Sequence, residues 1–289
     1  MPHLVSHVDD ANGQWAHYNF IETLADFAAA NGWQVLRHDA ASENRELILK
    51  GAGHTGEEEI FVGLRTYQSE NNDYYNLLAA TFTGHVPDNP FDGQPGATLS
   101  GVPAHNQRID FWLSLNPQRI ACAMKVGTPV YESFYLGKML PYARPSQYPY
   151  PIVCAGMLNG AAATRFSDTA HAIPYKGNRN NFKLRANDNY LQPYSYPWSN
   201  GYFADRSYGN FSSATAGKFL RDTGGQYPLL PVELHTSTDL WGQLDGVAFV
   251  SGFNVVVEDT LTIDGTQWVV IEDVYRTAWG DYYALRLDD

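Results

Sequence analysis

The residues able to do chemistry in this 289-residue chain are varied in type but rarely grouped. Its nine histidines stand as singles. Only His3 and His7 share the four-residue spacing of a helical metal pair, and they fall in a terminal segment that reads as mobile, so no metal site is expected there. Cys122 and Cys154 belong to no Cys-x-x-Cys or Cys/His pattern, which argues against zinc and against a disulfide framework. Cys122, flanked by Ala121, Ala123 and Met124 in an apparent strand, reads as a small core residue. No Gly-x-Ser-x-Gly elbow positions a serine nucleophile, and no glycine-rich phosphate loop is present. Glycoside hydrolysis needs only two carboxylates at a suitable separation. Asp168, Asp188 and Asp205 are the candidates, because they lie in an aromatic-rich stretch where a sugar groove could form. The triplet Asn210-Phe211-Ser212 fits a glycosylation acceptor but carries no reading without a secretory route. The expectation is a protein with no catalytic residue, no metal and no cofactor.

The aromatic residues say more. Charged residues make up only 17%, against roughly 25% in an average soluble domain. Aromatic residues reach 14%, and the chain holds 19 Tyr. A tyrosine ring packs while its hydroxyl stays wet, which suits partly buried interfaces. Tyr142, Tyr148, Tyr150, Tyr194, Tyr196 and Trp198 are therefore the candidate assembly contacts. The same rings would also stack on sugars, or fill the small cores of their own loops. A net charge of −12 and an isoelectric point near 5.1 argue against wrapping of nucleic acid, which requires a basic stripe. The densest basic group, Lys176, Arg179, Lys183 and Arg185, reads as a solvated loop.

The elements that position these residues follow from periodicity. Phe20, Ile21, Leu24, Phe27 and Ala28 recur at three- and four-residue spacing and predict a helix over about 17–30, stopped by Asn31-Gly32. Strands are expected at 33–36, 46–50, 59–66 and 74–82. Residues 84–108, dense in Gly, Pro, Asn and Asp, read as a long loop able to reach a partner. Ile109 to Leu115 and Ile120 to Val126 form the clearest hairpin, turned by Asn116-Pro117-Gln118-Arg119. The segment 128–140 fits either a short helix or a strand. Pro141 to Pro151 interleaves prolines with tyrosines and reads as an extended strap, excluded from a central sheet. From 159 to 228 the pattern dissolves into Asn, Gly, Tyr, Ser and Pro. The final residues return to short strands, with Asp264-Gly265 as a two-residue hairpin turn.

The fold class this implies is α+β and predominantly antiparallel β. A helix-plus-sheet module would span 1–158, a loop-rich aromatic insertion 159–228, and an antiparallel β-meander, barrel-like in character, 229–289. The first residues lack a basic and apolar leader, so synthesis in a cytoplasm is the expectation. No apolar run of about 18 residues exists, so no membrane span is expected.

Three blocks carry a resemblance. They are the helix end "NGW" followed by ELILKG and EIFVGLRT, the run from IDFWLSLNPQRIACAMKVGTPVYESFYLGKML to ARPSQYPYPIVCAG, and GQLDGVAFVSGFNVVVEDTLTIDGTQWVVIEDVYRTAWGDYYALRLD. Together they resemble a class of proteins encoded by tailed bacteriophages and prophages. The resemblance implies a virion structural protein of the tail or head–tail neck, collar-, terminator- or connector-like. Its partners would be copies of itself in a ring and other neck or tail proteins, with no sequence-specific nucleic acid. The host cytoplasm would be its site of synthesis. No functional residues travel with the resemblance, and 159–228 matches it least. The alternative is a receptor- or glycan-binding tail or baseplate protein, and the third reading is a cell-wall or capsule hydrolase.

Overall fold

The computed structural model describes residues 2–142, 151–168, 173–176, 182–186, 188–198, 229–252, 254–274 and 280–287. In chain order the first elements are β1 (His3–Asp9), α1 (Ala16–Ala30), β2 (Gln34–Asp39), β3 (Glu46–Gly51), β4 (Ile60–Ser69) and β5 (Tyr74–Phe82). Then come β6 (Thr98–Pro103), β7 (Arg108–Asn116), β8 (Arg119–Gly127), β9 (Val130–Lys138), β10 (Leu140–Pro141), β11 (Ile152–Ala155) and β12 (Leu158–Asn159). The remainder are β13 (Lys183–Ala186), β14 (Asn189–Leu191), β15 (Tyr194–Tyr196), β16 (Leu230–His235), β17 (Leu240–Phe249), β18 (Thr260–Ile263), β19 (Thr266–Glu272) and β20 (Tyr282–Arg286). The chain is thus mostly antiparallel β with one α-helix among the described residues.

Three sheets stack in layers. The central sheet runs β1-β7-β8-β9-β11-β13-β14. Along β7 and β8, Ile109, Phe111, Leu113, Leu115, Ile120, Cys122 and Met124 enter one core, shared with α1 and with the sheet β12-β6-β5-β4-β3-β2. The intervening Trp112, Ala121 and Ala123 enter a second core, shared with the sheet β15-β16-β17-β20-β19-β18. Both faces of the central sheet are covered, so its strands read as continuous apolar runs rather than alternating ones.

Helix α1 seals the first core. Its buried face is Ala16, His17, Phe20, Ile21, Leu24, Ala25 and Ala28, the three- and four-residue stripe that a helix needs to bury one side. It ends where expected: the Asn31 N–H donates to the Ala28 carbonyl at 3.1 Å and the Gly32 N–H to the Ala29 carbonyl at 3.4 Å, with Gly32 at φ +89°. His17 lies fully buried on this face, with Nε2 3.3 Å from Gln68 Oε1. Burial lowers its pKa from 6.5 to about 3. The folded state therefore holds neutral imidazole while the unfolded chain takes up a proton below pH 6.5. Stability from this group is complete above pH 6.5 and is lost as pH falls toward 3. The expected loss is about 3 kcal/mol between neutral pH and about pH 4.5, at about 1.4 kcal/mol per unit. Urea melts of the wild type and His17→Gln at both pH values check this, and the variant should lack that slope.

Several expectations change in the folded chain. The segment 84–108 is no free arm. Its second half contributes β6 to a sheet, and its first half folds back over the outer face of β3, β4 and β5. Phe91 is fully buried there, T-shaped against Phe82 at 5.4 Å. The Gln94 amide holds the loop, accepting from Val86 N–H at 2.9 Å and donating to the carbonyls of Val86 and Asn89. Gly63 lies under this lid, and a Cβ there would sit 2.9 Å from both phenyl rings. The N-terminal segment is ordered as β1, paired along its whole length with β7, which places His3 and His7 on an edge strand instead of a mobile tail. The segment 128–140 resolves to strand β9. Pro141 does enter a sheet, in the two-residue β10 beside β17, while 143–150 lies outside the described residues. The described parts of 159–228 include β13 and β14 on the central sheet and β15 on the C-terminal sheet. Cys122 and Cys154 are fully buried free thiols, Cys122 in the first core as expected.

Candidate functional site: an aromatic patch around Glu233

Three of the six aromatic candidates meet at one corner of the C-terminal sheet. Strand β15 lies along β16 with Tyr194 opposite His235, Ser195 opposite Leu234 and Tyr196 opposite Glu233. Ser195 and Leu234 are fully buried. Tyr194 stacks on the His235 ring, with centroids 5.5 Å apart and planes inclined at 28°. On the other side of β17, β10 pairs Leu140 with Gln243 and Pro141 with Gly242, and the Tyr142 N–H donates to the Trp241 carbonyl at 3.1 Å. Position 242 must be glycine because a Cβ would lie 2.2 Å from the Leu140 carbonyl oxygen. This close approach brings the Tyr142 hydroxyl to Glu233, to which it donates at 2.7 Å.

Tyr142, Tyr194 and Leu240 remain 49%, 40% and 40% exposed, among the largest exposed apolar side chains described. Desolvation, with the Glu233 carboxylate second, pushes the Tyr142 phenol up to about 12. Tyr196 is raised by desolvation and then by the same carboxylate. Both phenols are therefore neutral at physiological pH. The patch presents packing faces, hydroxyls and one acceptor carboxylate, an arrangement suited to binding.

The other sequence candidates lie elsewhere. Trp198 packs T-shaped on Phe249 at 5.5 Å and donates its indole N–H to the Gly280 carbonyl at 2.7 Å. Tyr148, Tyr150, Asp205 and the 210–212 triplet lie outside the described residues. Asp168 accepts the backbone N–H of Arg165, and Asp188, at φ +62° in the β13–β14 turn, sits 3.7 Å from Arg185. Of the basic group, Arg179 is not described, and Lys176 is buried against Asp273 and Asp281 instead of being solvated. Among the described residues no group of three or more His, Cys, Asp or Glu is placed to hold a metal ion. No helix among them is long and apolar enough to cross a membrane. A cleft of about 230 Å³ opens beside His105, Arg108, Asp110 and Lys125. Its charges are already paired, Arg108 with Asp110 at 2.7 Å and Lys125 with Glu258 at 2.6 Å.

Sequence reasoning missed Glu233, His235 and Leu240. The available signal was a charged residue inside the apolar run Leu230–His235, which can mark a strand carrying one face to solvent or to a partner. No protein-family model matches this chain, and no curated protein matches it.

Proposed function

We propose that this chain is a structural subunit of a tailed-phage virion, in the tail or head–tail neck, acting by assembly into a ring of copies and not by catalysis. The observation that carries the assembly reading is the exposed patch of Tyr142, Tyr194 and Leu240 around Glu233. Exposed aromatic rings with a satisfied polar centre are what interface hot spots are made of. The patch adjoins the proline- and tyrosine-rich segment that begins at Tyr142. The virion reading comes from the three-block resemblance.

The test is a Tyr142→Ser/Tyr194→Ser double variant. Truncating two hot-spot aromatics removes about 2 kcal/mol each, so self-association followed by sedimentation should weaken by roughly a thousandfold. Both side chains are about half exposed, so the fold should persist with only a modest fall in melting temperature. A wild-type chain that stays monomeric at high concentration, and is missing from particles of a phage that encodes it, would refute the assembly reading.

The pairing of Tyr142 with a carboxylate also suits a sugar, since rings stack on its apolar face and the carboxylate accepts from its hydroxyls. A receptor- or glycan-binding tail protein is therefore the second reading. It requires saturable glycan binding that the same double variant abolishes.

A further inference from the structure

Strand β1 forms one edge of the central sheet and pairs with β7 alone. Its register runs without a shift from His3 opposite Ser114 to Asp9 opposite Arg108. Just beyond the two ends, the Leu115 N–H donates to the Pro2 carbonyl and the Asp10 N–H to the Gln107 carbonyl, each at 3.0 Å. In an antiparallel ladder, hydrogen-bonded pairs alternate with unbonded ones. Leu4, Ser6 and Val8 therefore bond to β7, while the main-chain groups of His3, Val5, His7 and Asp9 point to the open side. The Asp9 carbonyl accepts the Asn19 side-chain amide at 2.6 Å. Among the described residues, the N–H and C=O groups of Val5 and His7 meet no partner. The strand is open to solvent at this point: Val5 is 52% exposed, and Ser6 and His7 are exposed beside it.

A long open edge invites another strand, and proteins guard such edges with a bulge, a proline, a lysine or a short strand. The other sheet edges here are guarded in these ways. Strands β12, β14 and β15 have two or three residues, and β18 has four. Strand β2 is bulged between Val35 and Arg37, and Arg37 is tied to the carbonyls of Pro87 and Asn89, each at 2.7 Å. Strand β1, seven residues long, carries no bulge, proline or lysine.

We propose that β1 pairs antiparallel with β1 of a second copy of this chain, joining two central sheets across a two-fold axis at Ser6. In this register Val5 lies opposite the partner's His7. The two residues exchange both main-chain hydrogen bonds, and the axis repeats the pair, so every free group of Val5 and His7 is satisfied. His3 then faces the partner's Asp9 on both sides of the axis, an imidazole against a carboxylate. Registers centred on Val5 or on His7 instead set imidazole against imidazole. The contact is isologous, with the same strand used by both copies. It is separate from the aromatic patch on the C-terminal sheet and does not rest on the virion reading.

The test uses the full chain carrying Tyr142→Ser/Tyr194→Ser, so that the aromatic patch takes no part. Sedimentation should still show dimers. Val5→Pro should weaken them roughly thirtyfold, because each Val5 loses the donor of one inter-copy hydrogen bond. The fold should persist, since this N–H faces away from β7 and proline is tolerated on that side of an edge strand. Near-UV dichroism checks it, and Val5→Lys, which leaves the main chain unchanged, should act in the same direction. Ser6→Cys gives the positional readout. Its thiol meets its own counterpart in an unbonded cross-strand pair, at a Cα separation of about 4.5 Å that a disulfide can span. Cys122 and Cys154 are fully buried and stay out of the reaction. Mild oxidation should yield a disulfide-linked dimer, and Val5→Pro should suppress it. A monomer that forms no cross-link would overturn the proposal and leave the aromatic patch untouched. Dimers that form without the cross-link, or that survive Val5→Pro and Val5→Lys undiminished, would overturn it as well.

Discussion

Asp245→Ala should lower the unfolding free energy by about 3–5 kcal/mol, the cost of stripping the partner from a buried charge. The charge is Arg119, fully buried at the β7–β8 turn where the three sheets meet. Its Nη1 donates to the Ser114 carbonyl at 2.7 Å and to Ser114 Oγ at 3.0 Å, and its Nε lies 4.0 Å from Asp245 Oδ2 on β17. Burial pulls the guanidinium below its ordinary range, and the Asp245 carboxylate opposes that pull. The same oxygen accepts from the amides of Asn116 at 2.6 Å and Gln118 at 3.1 Å. Gly246 follows at φ +71°, where a Cβ would lie 2.1 Å from Arg119 Nη2. The third sheet joins through Trp33, whose indole N–H donates to the Asn116 carbonyl at 2.9 Å, and through Gly53, whose N–H donates to the Pro117 carbonyl at 2.9 Å. One carboxylate therefore organises the contact of all three layers. Urea denaturation measures the loss. Replacing both charges, as in Arg119→Met/Asp245→Leu, should cost less than Asp245→Ala alone, because no buried ion is then left without its counter-ion. A single variant within about 1 kcal/mol of wild type would show that the guanidinium does not depend on Asp245.

Phe20→Ala should cost about 3–5 kcal/mol through lost burial and the cavity left behind. Phe20 is fully buried in the first core, T-shaped against Phe111 on β7 at 5.3 Å and against Phe134 on β9 at 6.3 Å. Those partners sit on rigid central strands, so the site collapses poorly. Thermal melts of Phe20→Ala and Phe20→Leu separate the two contributions, since leucine restores most of the volume. A loss below about 1 kcal/mol for alanine would mean that α1 is dispensable to this core.

Much of the local structure was legible beforehand. The helix was readable because its stripe repeats every three or four residues, and the Asn116–Arg119 and Asp264-Gly265 turns because Pro, Asn and Gly have few alternatives in those positions. The β9 segment was ambiguous for a physical reason. Tyr131, Phe134, Tyr135 and Leu136 are buried on both faces of a covered sheet, which erases the alternation that marks a strand. The 84–108 segment misled because its glycines and prolines describe turns truthfully but say nothing of Phe91 finding Phe82 beneath it. Of the site, the tyrosines were visible by type alone. Their meeting point was not, since Glu233 lies 91 residues from Tyr142.

By itself, then, the amino-acid order determined the short-range elements: one amphipathic helix, a set of strands and their tight turns. These depend on periodicity and backbone preference within a few residues. Tertiary structure alone decided which strands share a sheet, and with that which polar groups are buried together. Asn116 reaches Asp245 across 129 residues, and Lys176 reaches Asp281 across 105. Such pairs arise from register and from the stacking of layers, where a charge is placed by the sheet that closes over it and not by its neighbours in the chain.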